Sequence, residues 1–169
     1  MVGDTATAGR VAARLRAARD SATSELFEQA FEPMFALSDG GLAARRGDGR
    51  EVTGLLQPSA DRLVEQGYGF STDRFLVRWM LAEAYRRLGD PETSIQQLEA
   101  LLRERSFEPL HVLMYGPTRF KLGQLYAEIQ DSEAAVGHFT AFLEAFTDPD
   151  PEYQWMVDEA RAAVATLRG

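Results

Sequence analysis

The 169-residue sequence contains no cysteine and no asparagine, one lysine (Lys121) and two histidines, His111 and His138. Each shortage removes a class of chemistry. Without cysteine there is no disulfide framework and no thiolate metal site. Two histidines do not furnish a credible serine–histidine–acid set, and no glycine-rich phosphate loop of the form G-x-x-x-x-G-K occurs. We therefore expect no catalytic residues, no cofactor and no metal. No apolar run reaches the ~18 residues of a membrane span, and the start, MVGDTATAGRVAARLRAARD, lacks the apolar centre of a secretory signal. The expectation is a cytoplasmic protein without direct membrane insertion.

Positive charge is also scarce. The net charge of −8 argues against nucleic-acid binding, which needs many phosphate-neutralising side chains. The bases are nearly all arginine, which we read as genome composition rather than chemistry. Their placement is uneven. Arg10, Arg14, Arg16 and Arg19 stand near the start against Asp4 alone, whereas residues 128–160 hold nine acids, Asp148, Asp150 and Glu152 among them, and no Lys or Arg. Two readings follow: solvated helix faces, or a basic arm that docks on an acidic end and so drives self-association.

What is present reads as helix throughout. Val11, Leu15 and Ala18 mark a first helix ending near Asp20. Leu26, Phe27, Ala30, Phe31, Met34 and Phe35 recur at i, i+3, i+4 spacing. Pro33 inside that pattern predicts a kink or a new turn. The stretch SDGGLAARRGDGR, 38–50, predicts a loop. Pro58 is expected in the first turn of a helix that Gly67 and Gly69 stop. Further on, Phe75, Leu76, Trp79, Leu81, Ala82, Tyr85 and Leu88 form a broad apolar face closed by Gly89. Asp90 then caps, and Pro91 opens, a helix lined by Ile95, Leu98, Leu101 and Leu102. So short a joint predicts an antiparallel helical hairpin.

A fainter copy follows. Shifted by 41 residues, Arg78, Leu81, Tyr85, Asp90, Glu92, Ala100 and Leu102 meet identical residues at 119, 122, 126, 131, 133, 141 and 143. Chance would give about one or two matches over such a window, so this is an internal repeat. A last helix after DPDPE puts Met156, Ala160, Ala163 and Leu167 on one side and should cap the second hairpin.

Three apparent motifs carry little. Glu108 and His111 have a Glu-x-x-His spacing but no second copy, and Pro109 lies inside it. His138 is expected to be an ordinary half-buried or exposed residue. Asp148, Asp150, Glu152 and Glu159 imitate part of a calcium loop, but Tyr153 stands where that loop needs glycine. Helix capping, with Asp150 before Pro151, is the simpler reading.

Leu81-Ala82, Tyr85, Leu88-Gly89-Asp90, Leu98 and Leu101, then Leu122-Gly123, Tyr126, Asp131, Ala135 and Phe139, resemble tetratricopeptide repeats. The final FTAFLEAFTDPDPEYQWMVDEARAAVATLRG also resembles the C-terminal end of many bacterial members of that family. The resemblance implies an all-α, right-handed array of helical hairpins: a degenerate N-terminal region (1–70), then two hairpins and a capping helix (71–169). The 41-residue offset exceeds the family's repeat length, and the extra residues are expected as a connection at 105–117. A protein or peptide partner is implied, held in a groove whose candidate residues are Leu76, Arg78, Trp79, Glu83, Arg86, Arg119, Phe120 and Gln124. Trp79 and Phe120 align across the repeat, either as partner pockets or as core against residues 51–68. The family's asparagine-and-lysine clamp for peptide C-termini is not expected in a chain with no asparagine. The expected function is a non-enzymatic interaction scaffold. The alternatives are a subunit self-associating through its charged ends, or the regulatory end of a larger signalling enzyme.

Overall fold

The structure, a computed structural model, describes residues 5–21, 25–65, 71–103 and 109–169. Among these residues there are eight α-helices and no strand: α1 (Thr5–Asp20), α2 (Glu25–Arg46), α3 (Gly49–Glu65), α4 (Ser71–Arg87), α5 (Pro91–Arg103), α6 (Pro109–Glu128), α7 (Ser132–Ala145) and α8 (Gln154–Arg168), with one 3₁₀ turn at Pro151–Tyr153. The all-α array of helical hairpins expected from the pattern is present. The chain divides into two units at Leu88–Gly89, inside the first expected hairpin, and each unit is described by itself. The boundary drawn at 70/71 falls on residues outside the described ones.

In the first unit α1 packs on α2, and α3 packs against both α2 and α4. Ala36, Ala43, Val52, Leu56, Ala60, Val77, Leu81 and Ala84 form the core, with Leu37, Met80 and Tyr85 half-buried around it. Leu56 and Leu81 are fully buried, each contributing about 1.5–3 kcal/mol of transfer free energy. The one hydroxyl taken to zero exposure here, that of Ser59, donates to Glu32 at 2.9 Å.

Two sequence expectations fail in this unit. The 38–50 stretch is helical as far as Arg46, and only Gly47 and Asp48 lie between α2 and α3. The buried face of Ala36, Gly40 and Ala43 outweighs the glycine content. α2 likewise runs on past Pro33, and Pro58 lies inside α3, where its missing N–H forfeits one helical bond on an exposed face.

The α2–α3 joint stands in place of the expected loop. Gly47 has φ +76°. Its N–H donates to the Ala44 carbonyl and that of Asp48 to the Ala43 carbonyl, both at 3.1 Å. This is a Schellman close of α2. Asp48 then accepts from the Glu51 N–H at 3.0 Å and caps α3. The same device recurs downstream. Gly89 has φ +79° and Asp90 accepts from Thr93 N–H at 3.0 Å. Gln130 has φ +65°, Gln130 and Asp131 donate to Ala127 and Tyr126, and Asp131 accepts from Ala134 N–H at 3.1 Å. Asp48, Asp90 and Asp131 are 42 and 41 residues apart. The three aspartates thus hold the same capping place at three helix joints.

In the second unit α6 and α7 form a hairpin, α5 packs on α6, and α8 packs on α7. Phe120, Ala135, Phe139, Phe142, Met156, Val157 and Ala160 make its core. α8 lays Met156, Val157 and Ala160 into that core with Ala163, Val164 and Leu167 beside them, the face its spacing predicts. The expected connection at 105–117 is helical from Pro109, so residues 109–117 lengthen α6, while 105–108 lie outside the described residues. Pro117 leaves the Leu113 carbonyl without its helical donor. One residue on, the buried hydroxyl of Thr118 bonds to the Met114 carbonyl at 2.7 Å.

Candidate functional site

α4 carries most of the expected groove residues, and its surroundings decide which of them line a cavity. The entry of α3 comes close to α4: a Cβ on Gly49 would stand 3.2 Å from the Ala84 carbonyl and from Leu88 Cγ. Just outside this contact is a pocket of about 130 Å3, lined by Ala44, Gly47, Gly49, Val52, Trp79, Met80, Glu83, Ala84 and Arg87. The Trp79 ring, half-buried, stacks on Phe75 at 5.8 Å and 19°, which fixes its orientation. Glu83 accepts from Arg87 at 3.0 Å. The lining thus joins an apolar floor to one ion pair, and its size suits a single aliphatic or aromatic side chain.

Of the expected residues, Trp79 and Glu83 come together in this pocket. Leu76 (40% exposed) and Arg86 are on the surface of α4 outside its lining, and Arg78 is half-buried outside it. The contribution of residues 44–49 is not among the sequence expectations. Their signal is the Gly47-Asp48 pair, which repeats at Gly89-Asp90 but lies within a stretch whose composition suggests a loop.

The second unit corrects one expectation. Phe120 is 3% exposed. Its ring packs edge-on to Phe139 at 5.8 Å and to Trp155 at 5.7 Å, with Phe142 at 5.2 Å. It is core, not the wall of a pocket, and it packs on α7 and α8. Gln124 donates to Glu159 at 2.7 Å. Arg119 bonds Tyr115 and His138.

His138 is half-buried and stacks on Tyr126 at 5.2 Å and 12°. Burial, and then the Arg119 charge, hold its pKa below the usual histidine value. Tyr126 in turn donates to Glu99 at 2.5 Å, and burial together with that carboxylate pushes its pKa up to about 12. The side chain of His111 lies outside the described residues. Among the described residues no group of three His, Asp or Glu side chains is placed to hold a metal ion.

The charged ends are unequal in what they leave available. Arg16 pairs with Asp39 at 2.5 Å, and that hydrogen bond raises its pKa. Arg10 donates to Thr7 at 2.7 Å, Arg14 is exposed, and the side chain of Arg19 lies outside the described residues. Asp148, Asp150 and Glu152 are exposed about the 3₁₀ turn. Asp150 holds the cap position before Pro151, but its carboxylate makes no capping bond; only its carbonyl accepts, from Tyr153 at 2.8 Å.

Residues 77–105 match the family model of the tetratricopeptide repeat. The match begins in α4, includes Trp79, Glu83 and Arg87, and ends beyond α5. No curated protein matches the chain. The chain thus carries a tetratricopeptide repeat in an all-helical, repeat-like fold, a kind of module that generally mediates protein–protein interaction. Among the described residues no helix is long and apolar enough to cross a membrane.

Proposed function

We propose that this protein is an interaction scaffold that takes one apolar side chain of a partner peptide or helix into the pocket beside Trp79. The carrying observation is the pocket itself: an apolar cavity of side-chain size, with a tryptophan held in place by Phe75. Partly exposed tryptophans in preformed concavities are the residues on which interface energy concentrates. Glu83 and Arg87 at the same site would orient a polar group next to the anchored side chain. Leu76, Arg78 and Arg86 extend the same surface along α4. Phe120 does not belong to it.

The test compares affinity capture by wild type, Trp79→Ala and Ala44→Phe. The first variant removes the anchor and the second fills the cavity. Both should lose the same captured protein while Arg14→Ala keeps it. Retention by both pocket variants would refute the assignment.

A second reading, head-to-tail self-association, is favoured by the exposure of Arg14 at one end and of Asp148, Asp150 and Glu152 at the other. It predicts a larger mass by light scattering at low salt that falls at high salt, since such contacts are screened.

A further inference from the structure

One residue before the buried Phe120, about 100° round α6, Arg119 is held in an unusual way. Its Nε and Nη2 both donate to the Tyr115 hydroxyl, at 3.2 and 3.0 Å. Its Nη1 lies 3.2 Å from Nδ1 of His138. The guanidinium stands 5.1 Å from the centre of the Tyr115 ring. A guanidinium has donors only, so His138 Nδ1 is the acceptor and the imidazole is neutral, with its proton on Nε2.

No carboxylate reaches Arg119 among the described residues, although the chain has 26 acids to 18 bases. Glu99, on the neighbouring α5, is engaged by Tyr126 and by Arg103 at 3.5 Å. The Arg119 charge is thus fixed in direction by neutral acceptors, and among the described residues no counter-charge reaches its half-buried position. Three of its five N–H groups are used, which leaves one on Nη1 and one on Nη2. These groups can still give charge-assisted hydrogen bonds to an anion.

We propose that Arg119, positioned by Tyr115 and His138, is a receptor for a carboxylate. A planar monoanion suits it better than phosphate, because Glu99, whose charge acts on His138, opposes a second negative charge. The carboxylate has two possible sources. Tyr115 (41% exposed) adjoins the site on α6, so a partner's acidic side chain beside an apolar residue would gain further contact. A free small carboxylate would not.

The groups facing His138 are Arg119 and Tyr126 from α6 and Glu99 from α5. A bound anion offsets the first of these charges, so occupancy should move the His138 titration upward.

The experiment is NMR on the full chain, following the Arg119 Nε–H signal and the His138 ring proton. His111→Gln assigns the latter. Acetate replaces chloride at constant ionic strength. Saturable movement of the Arg119 signal, with a higher His138 midpoint, is the expected result. The His138 response should vanish in Arg119→Met and weaken about tenfold in Arg119→Lys, which keeps the charge and loses the planar set of donors. Phosphate should bind less tightly than acetate. No saturation, an unchanged response in Arg119→Met, or tighter binding of phosphate would each overturn the proposal.

A capped Leu-Glu-Leu peptide separates the sources. Tighter binding than acetate supports a partner's side chain; equal binding supports a free carboxylate, and either keeps the receptor. The site stands in the second unit and does not depend on the Trp79 pocket, so failure here leaves the proposed function standing.

Discussion

Two glycines of α6, Gly116 and Gly123, receive two rings of α7. A Cβ on Gly123 would lie 2.7 Å from Cδ1 and Cε1 of Phe139, and one on Gly116 would lie 2.0 Å from Cε2 of Phe146. Both glycine pairs and ring pairs are seven residues apart, two helical turns, so they share one face of each helix. Replacing a mid-helix glycine by alanine normally gains about 0.5–1 kcal/mol through the unfolded chain and helix propensity. Against this, overpacking a filled core costs about 1–3 kcal/mol. Which effect wins depends on whether the ring can move. Phe139 is 2% exposed, enclosed by Phe120 and its neighbours. Phe146 is half-buried at the end of α7 and can swing outward.

Gly123→Ala should therefore destabilise by about 1–2 kcal/mol, and Gly116→Ala by less than about 1 despite its shorter contact. Gly137, inside α7 with nothing within 4 Å of a built Cβ, is the control; Gly137→Ala should stabilise by about 0.5–1 kcal/mol. The chain holds two tryptophans, Trp79 in the first unit and Trp155 in the second. Urea unfolding followed by Trp155 fluorescence, in a Trp79→Phe background, reads the right unit. The other repeats suggest the compensating change: Ala82 stands where Gly123 does, and Leu98 where Phe139 does. Phe139→Leu should cost less in the Gly123→Ala variant than in the wild-type chain, by about 1 kcal/mol of coupling. If Gly123→Ala matches or exceeds wild type while Gly137→Ala behaves as stated, the close-packing argument is wrong.

The helix joints offer further tests by the same unfolding measurement. Gln130 holds the left-handed position that glycine fills at 47 and 89, so Gln130→Gly should stabilise by about 0.5–1 kcal/mol, while Gly89→Ala should cost about 1. Asp90→Ala and Asp131→Ala should each cost about 1 kcal/mol, as lost caps do, and Asp48→Ala, in the first unit, should cost as much when Trp79 is followed in a Trp155→Phe background. Tyr126, with its pKa pushed up from 10.0 to about 12, should give an alkaline step in an ultraviolet titration that Tyr126→Phe removes. Because the folded state favours the neutral phenol, its contribution to stability is whole below pH 10.0 and lost as pH rises through about 12. Tyr126→Phe should remove that alkaline loss, and an unchanged profile would show that the Glu99 bond does not hold the proton.

What can be read ahead of the structure is whatever local chemistry enforces. Asp90-Pro91 and Asp131 announce helix starts because a short carboxylate beside free N–H groups has one favourable use there, and the α8 stripe is visible because every fourth residue is apolar. The same logic misleads at 38–50, where glycine suggests a break. Gly40 is instead a seat: a Cβ there would come within 2.9 Å of Leu56 Cγ. Gly40 with Leu56 and Gly123 with Phe139 are each 16 residues apart, a small residue and the large one it seats, and in the sequence Ala82 and Leu98 have the same spacing. Identity counting misses the first pair because what repeats is volume, not residue type. The Trp79 pocket escapes notice for a related reason: half its lining comes from the α2–α3 joint, and no local pattern tells which joint a given helix will meet. Arg119 and His138 are harder still. They sit 19 residues apart on two helices, and nothing in either neighbourhood signals that one will face the other. Periodicity reveals which face of a helix is buried; only the register of one helix against the next decides which polar groups meet at its edge, and that register is set here by glycines and rings.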